Sequence, residues 1–269
     1  MSDIPSSTHA MPLNRVPKVT VDFWLIKLMA VTMGETAADY LAVNMGLGLT
    51  ATSIIMTGFL AVALFIQFAQ QRYVPWSYWT AVVLISVVGT LITDNLVDNF
   101  GVRLETTTAL FAAALAATFA VWYAMERTLS IHTIYNFRRE AWYWLAILFT
   151  FALGTSVGDL VAETFNFGYL TTGLLFAAVI AMITVAYYRF GLNAITAFWL
   201  AYILTRPLGA SFGDLLSQPP ENGGLGLGTT LTSLIFLAVI AGIVAYMTMT
   251  HDSDDVPVEL AGSETSGQR

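Results

Sequence analysis

The segment WLAILFTFALGTSVGD, residues 144–159, places glycines and an acid at the end of an apolar run. Gly154 follows Trp144 by ten residues, and Asp159 follows Gly154 by five. An ionised carboxylate is costly in an apolar medium, so a carboxylate in such a run needs a structural or functional reason.

The same spacing of Trp, Gly and Asp occurs four times along the chain. The instances are Trp24–Gly34–Asp39, Trp79–Gly89–Asp94, Trp144–Gly154–Asp159 and Trp199–Gly209–Asp214. An Asn-x-Gly triplet follows each Asp, beginning at Asn44, Asn99, Asn166 and Asn222. Successive Asp residues are 55, 65 and 55 positions apart. Four matched copies indicate internal repeats, arranged as a duplicated pair.

Composition indicates a polytopic membrane protein. Of the 269 residues, 57% are hydrophobic and 11% charged, and mean hydropathy is +0.69, whereas soluble domains carry about 25% charged residues. Eight segments are long enough to cross a bilayer: 19–43, 50–71, 76–98, 106–126, 141–163, 170–190, 193–216 and 229–250. We therefore expect an all-α protein with eight transmembrane helices, two in each of four parallel repeats.

The domain organisation follows from these segments. We expect repeats at 19–72, 73–127, 138–190 and 193–250, between a disordered N-terminal tail (1–18) and an acidic, disordered C-terminal tail (251–269). Basic residues predict both termini in the cytoplasm. Seven lie on the side of the termini (Arg15, Lys18, Arg72, Arg127, Arg138, Arg139 and Arg189), and only Arg103 lies on the other.

This pattern resembles an uncharacterised family of bacterial membrane proteins built from four tandem two-helix repeats, each with a characteristic Trp. Trp24, Trp79, Trp144 and Trp199 match that Trp. The resemblance covers nearly all the chain between the tails. It implies the fold and a bacterial cytoplasmic (inner) membrane, but no substrate or reaction.

Small residues in each odd-numbered segment predict close helix packing. They are Gly34, Gly89, Gly154 and Gly209, with Gly158 and Gly213 one turn further on in repeats 3 and 4. Helical periodicity turns the Asp away from this packing face. We therefore expect the odd helices to line a central site and the even helices to lie outside them. The four Trp are interpreted as anchors at the membrane interface.

The candidate site contains seven acids and one nearby arginine. The acids are Asp39, Asp94, Asp159 and Asp214 from the repeats, with Glu35, Asp98 and Glu163 one turn away. Arg206 is expected to pair with Asp214 or with an acid of another repeat, or to act as a movable counter-ion. Lys27, near the cytoplasmic end, is expected to snorkel. Excess carboxylate requires protons or a hard cation, so we hypothesise that the four Asp bind metal.

The function expected is transport or export of a small divalent cation, either alone or coupled to protons. One alternative is a structural or sensor protein whose Asp residues bridge helices. Another is an intramembrane aspartyl protease, since SVGD (156–159) and SFGD (211–214) each present an acid. The G-x-S-x-G matches at 154–158 and 209–213 lack a His partner at membrane depth, which disfavours a serine hydrolase.

We therefore expect no enzymatic activity and no cofactor. The expected partners are the lipid bilayer and a small cation or proton, with no nucleic acid. The chain has no Cys, and its His residues (9, 132 and 251) lie outside the apolar segments, which leaves oxygen as the ligand atom.

Overall fold

The computed structural model describes residues 13–250, which form an all-α protein. The helices are α1 (Val21–Asp39), α2 (Leu49–Ala69), α3 (Pro75–Asp94), α4 (Leu104–Glu126), α5 (Phe137–Asp159), α6 (Gly168–Phe190), α7 (Ala194–Ser217) and α8 (Thr229–Thr250). Every predicted segment corresponds to one of them, within a few residues at each end.

Local sequence signals set the helix starts. The side chains of Thr20, Asn136 and Asn193 cap α1, α5 and α7 by accepting hydrogen bonds from backbone N–H groups of the first turn. Pro75 opens α3, where its missing N–H costs nothing. Gly191 ends α6 in the left-handed conformation that glycine adopts without strain.

Three odd helices end in a single π-helical turn that begins directly after the repeat Asp. These turns are Tyr40–Asn44, Asn95–Asn99 and Leu160–Thr164. A residue with positive φ follows each one: Gly46, Gly101 and Asn166. The Asn-x-Gly triplets of these repeats therefore form turns between helices. In the fourth repeat α7 stays α-helical past Asp214.

Six of the described helices are long and apolar enough to cross a membrane: α2, α3, α4, α5, α6 and α8. The protein is accordingly a membrane protein by length and composition of its helices. The other two, α1 and α7, carry Lys27, Glu35 and Arg206 in their buried parts.

The four odd helices form a closed ring. Helix α1 packs against α3, α3 against α5, α5 against α7, and α7 against α1. In α3 and α5, 56% and 61% of the most apolar stretch is buried inside the protein, against 17–22% for the four even helices. The odd helices are therefore inside and the even helices outside, as predicted.

Each even helix packs on the odd helix of the following repeat. Helix α2 lies against α3, α4 against α5 and α6 against α7, while α8 returns to α1 and closes the circle. Ser233 of α8 donates a hydrogen bond to Thr36 of α1 (2.7 Å). The two helices of one repeat are thus not a compact hairpin, because each repeat completes the packing of the next.

The repeat glycines make the ring contacts possible. A Cβ on Gly34 would overlap Ser86, one on Gly89 would overlap Phe151, one on Gly154 would overlap Arg206, and one on Gly209 would overlap Val31. Each overlapped residue lies three positions before the glycine of its own repeat. The same contact is therefore repeated four times around the ring. Gly213 is also tightly packed, whereas a Cβ on Gly158 would make only ordinary contacts.

The N-terminal boundary predicted for disorder is wrong for the residues just before α1. Asn14 and Arg15 are buried and bind the segment between α4 and α5. Arg15 also pairs with Glu140 of α5 (2.8 Å). The remaining tail predictions, for residues 1–12 and 251–269, lie outside the described part of the chain.

Candidate carboxylate site

The site is built from equivalent positions stacked along the axis of the ring. One position after the repeat glycine lie Glu35, Thr90, Thr155 and Ala210, and one helical turn further on lie Asp39, Asp94, Asp159 and Asp214. A turn of helix rises about 5.4 Å. The ring therefore carries a layer with one acid beneath a layer with four.

Arg206 lies at the centre of the lower layer. Its guanidinium donates to Glu35 Oε2 (2.8 Å), to Thr155 Oγ1 (2.7 Å) and to Thr90 Oγ1. Thr90 also donates to Glu35 Oε2 (3.1 Å). Arg206 is fully buried, and its Nε has no hydrogen-bond partner within residues 13–250. One arginine from repeat 4 thus connects the other three repeats, and its pairing with an acid of another repeat agrees with the sequence prediction.

Three carboxylates converge beside this arginine. Oxygen atoms of Glu35, Asp159 and Asp214 all lie within 4.8 Å of one another. Glu35 and Asp214 are buried, and Asp159 is partly exposed. We call these residues the acidic trio. Separations of this size allow three carboxylates to hold one cation.

Asp39 and Asp94 lie around the trio. Both are partly exposed, and both interact electrostatically with Glu35 and Asp159. The predicted convergence of the four repeat Asp is therefore supported, and Glu35 adds a fifth acid to the centre. Asp98 and Glu163 are exposed on the π-helical turns and interact with each other. They add two exposed carboxylates one helical turn beyond Asp94 and Asp159.

None of the four repeat Asp carboxylates takes part in a side-chain hydrogen bond within residues 13–250, whereas Glu35 accepts two. The serines of the two G-x-S-x-G matches bond to their own helices: Ser156 donates to the Leu153 carbonyl (2.9 Å), and Ser211 to that of Pro207 (2.9 Å). The matches therefore lie in continuous helix without the turn that a nucleophilic serine needs.

The expectation that Lys27 snorkels is wrong. Its amine is fully buried, donates to the carbonyl of Tyr202 (2.5 Å) and to Thr205 Oγ1, and lies 4.0 Å from the centre of the Tyr202 ring. Lys27 has no carboxylate partner within the described residues. Packing of α7 against α1 covers the lysine before its side chain reaches the membrane surface.

The interpretation of the Trp residues as interface anchors is also wrong for three of the four. Trp79, Trp144 and Trp199 are only 1%, 3% and 5% exposed. Their indole N–H groups donate to Tyr73 Oη (3.1 Å), to Glu140 Oε1 (3.3 Å) and to the Leu129 carbonyl (2.9 Å). These rings form an aromatic layer inside the ring of helices, because the even helices and the segment between α4 and α5 cover them.

Sequence reasoning missed the polar network below that layer. Glu140 is fully buried and accepts hydrogen bonds from Arg15 (2.8 Å), Gln67 (2.9 Å) and Trp144. Gln67 in turn accepts from Ser77 (2.8 Å). Arg15 and Glu140 are not repeated in the other units, so the repeat pattern gave no signal for them.

A membrane protein of four sequence repeats in a ring, with carboxylates gathered at one end, is the class that this architecture defines. The chain belongs to the family described as Repeat of Unknown Function (DUF347), whose model matches residues 23–73, 77–128, 142–192 and 197–253. These ranges agree with the predicted repeats and confirm the resemblance. Comparisons with curated proteins and with solved structures find no match.

Proposed function

We propose that this protein transports a small cation, divalent and hard in character, through the carboxylate site. The observation that carries the proposal is the acidic trio, which brings oxygens of Glu35, Asp159 and Asp214 within 4.8 Å of one another inside a ring of membrane helices. Ionisable groups at membrane depth are costly and mark ion pathways. Oxygen-only ligation suits Mg²⁺, Mn²⁺ or Ca²⁺.

The transport proposal includes all eight helices as membrane spans. Helices α1 and α7 pack in the same ring as α3 and α5, which are long and apolar enough to cross. The four repeats are then parallel. The family resemblance implies a bacterial cytoplasmic membrane, and the excess of basic residues near the termini favours both termini in the cytoplasm. The carboxylates then face the outer side.

Arg206 is proposed as the internal counter-ion of the empty site. It holds Glu35 while no cation is bound, and an entering cation competes with it for that carboxylate. Below it, towards the proposed cytoplasmic side, Lys27 packs against the rings of Phe151 and Tyr202 between α1, α5 and α7. Passage to that side then requires rearrangement of these groups, which is the behaviour of a carrier and not of an open pore.

Two alternatives make different use of the same acids. A helix-bridging role is disfavoured because the repeat Asp have no side-chain hydrogen bonds within the described residues. An aspartyl protease remains the second candidate, because Asp159 and Asp214 place carboxylate oxygens within 4.8 Å of each other, and aspartic proteases use a pair of neighbouring Asp. Proteolysis would need only these two Asp residues, whereas transport would also need Glu35.

Flux into proteoliposomes tests the proposal. Liposomes loaded with dyes for Mg²⁺, Mn²⁺, Ca²⁺ or protons receive either the purified wild-type protein or one variant. The variants are Asp94→Asn, Asp159→Asn, Asp214→Asn and Glu35→Gln. We expect wild-type flux of at least one ion and loss of most of it in Asp159→Asn, Asp214→Asn and Glu35→Gln, because each removes a trio ligand. Asp94→Asn should reduce flux by weakening the surrounding negative potential.

Glu105→Gln is the matched control, because Glu105 is an exposed acid outside the trio that pairs with Arg103. Its flux should equal that of the wild type. Flux no greater than in empty liposomes for every ion would refute transport. Cleavage of a membrane peptide that depends on Asp159 and Asp214, but not on Glu35, would instead establish the protease.

A further inference from the structure

A groove interrupts the outer surface at the interface between α7 and α1. It is bounded by α1, the end of α6, the start of α7 and residues 129–132, and it encloses about 850 Å³. It lies at the end opposite the carboxylates, beside the start of α1. Its volume falls in the range of ordinary ligand sites.

Here the fourfold pattern of the aromatic layer is broken. Trp79, Trp144 and Trp199 are buried with their indole N–H groups hydrogen-bonded. Trp24, the equivalent residue of repeat 1, is partly exposed and lines the groove. Within residues 13–250 its N–H has no hydrogen-bond partner. The groove therefore presents a donor that the other three repeats satisfy internally.

The walls of the groove suit an acyl chain. One face of α7 carries small side chains where it lines the groove. These are Ala194, Ala197 and Ala201, spaced three and four residues apart. Leu25 and Leu28 of α1 and Ile183 of α6 provide apolar sides. An apolar groove of this kind accommodates a hydrocarbon chain better than a polar ligand.

The mouth of the groove is basic. Lys18 lines it, is exposed and has no ion pair within the described residues. His132 lines the same end. Lys18 precedes α1, and Trp24 lies six positions further along the chain, near the start of that helix. A cation at the surface and an indole donor deeper in match the phosphate and the ester carbonyls of a phospholipid.

We propose that this groove binds one anionic phospholipid from the leaflet on the side of α1's N-terminus. Its phosphate pairs with Lys18, an ester carbonyl accepts the Trp24 N–H, and one acyl chain lies along the alanine face of α7. The inference is independent of the cation proposal, since no residue of the acidic trio lines the groove.

Native mass spectrometry of the full-length protein tests this binding. The protein is extracted from vesicles that contain equal amounts of phosphatidylglycerol and phosphatidylcholine, and the retained lipids are counted. We expect one retained phosphatidylglycerol. Ala197→Trp and Ala201→Trp should remove it because they fill the groove. Ala178→Trp, on an exposed position of α6 outside the groove, should retain it.

The contribution of the Lys18 charge to lipid preference is tested separately. Lys18→Gln should lower the preference for phosphatidylglycerol by about fivefold, the effect of one cation near an anionic surface. Arg189→Gln removes an exposed cation of α6 that does not line the groove, and should leave the preference unchanged. Trp24→Phe should weaken retention of both lipids.

Retention unchanged by both groove-filling variants would overturn the proposal, as would equal retention of the two lipids by the wild type. A bound fatty acid in place of a phospholipid would overturn the assignment of the ligand. The absence of any retained lipid on the full-length protein would likewise overturn the proposal.

Discussion

At the scale of single residues, the Arg206–Glu35 pair places two opposite charges in the protein interior. Both side chains are buried, and the arginine also bonds Thr90 and Thr155. Removing one partner of a buried pair leaves the other charge uncompensated. The pair is thus more sensitive to a single substitution than to replacement of both partners.

Arg206→Gln and Glu35→Gln should each lower the free energy of unfolding by about 3–5 kcal/mol. The double variant should lose less than the sum, because neither charge then remains alone. Titration of detergent micelles with SDS measures these free energies. Arg103→Gln is the control: its pair with Glu105 is exposed, so about 0–1 kcal/mol is expected. An Arg206→Gln variant as stable as this control would contradict the assigned role.

The repeat glycines also act one residue at a time. Gly154→Ala should destabilise the protein by about 1–3 kcal/mol, because the new methyl group overlaps the stem of Arg206. Gly158→Ala is a matched control one turn away, since its Cβ would lie 3.6 Å from Pro207. That variant should be neutral, or more stable by up to about 1 kcal/mol through helix propensity. The same unfolding titration compares the unfolding free energies of the two variants. Equal effects at both positions would rule out close packing at Gly154.

At the scale of helices, the main finding is that packing partners come from neighbouring repeats. Helix α2 packs on α3 and α8 on α1, so the sequence repeat and the packing unit differ. Hydrophobic periodicity could not show this, because an apolar face indicates that a helix packs but does not identify its partner. Chain connectivity alone would pair the two helices of each repeat. Each even helix instead packs on the odd helix of the following repeat.

A disulfide across α1 and α8 tests the closure of the ring. The chain has no native cysteine. Thr36→Cys with Ser233→Cys should cross-link on oxidation, because the native side-chain oxygens are 2.7 Å apart. Cleavage at an engineered protease site between the two helices then leaves the fragments joined on a gel.

Ser211→Cys with Ser233→Cys is the control within one repeat. Ser211 faces α6, where its Cβ lies 3.7 Å from the position of a Cβ on Gly173. No cross-link is expected for this pair. Efficient joining of the control, without joining of the α1–α8 pair, would indicate that repeat 4 is a hairpin after all.

At the scale of the whole molecule, the ring separates a carboxylate end from an aromatic end. The seven acids of the candidate site lie at or near one end, and the other end holds the aromatic layer and the Arg15–Glu140 pair. In the proposed parallel arrangement each repeat delivers the same residue types to the same depth, and this would produce that polarity. Inverted repeats would have placed acids at both ends.

Cysteine labelling tests the proposed orientation. Phe100→Cys and Phe167→Cys lie on exposed connections near the carboxylate end, and Gln71→Cys and Phe190→Cys lie at the other end. In intact cells a membrane-impermeant maleimide should label the first pair and leave the second unlabelled. Permeabilised cells should label all four, which controls for reactivity. Labelling of one member from each pair in intact cells would exclude four parallel repeats.

The sequence alone predicted the repeats, the positions of the helices, the inner location of the odd helices and the gathering of acids at one end. Each of these depends on local spacing: a glycine marks a close contact, and an acid one turn further on lies on a different face. The same spacing in four copies implies the same depth in the membrane, so convergence follows once the odd helices form a ring.

Only the tertiary structure decided which groups meet. It placed Glu35 with Asp159 and Asp214, gave Arg206 to Glu35, buried Lys27 and three of the Trp, and joined Arg15 to Glu140. It also left Trp24 uncovered beside a groove. The contacts of Glu35 with Arg206, of Lys27 with Tyr202 and of Arg15 with Glu140 join residues more than a hundred positions apart. Small departures from fourfold symmetry decide which residues are covered. Spacing within one repeat carries no information about such contacts.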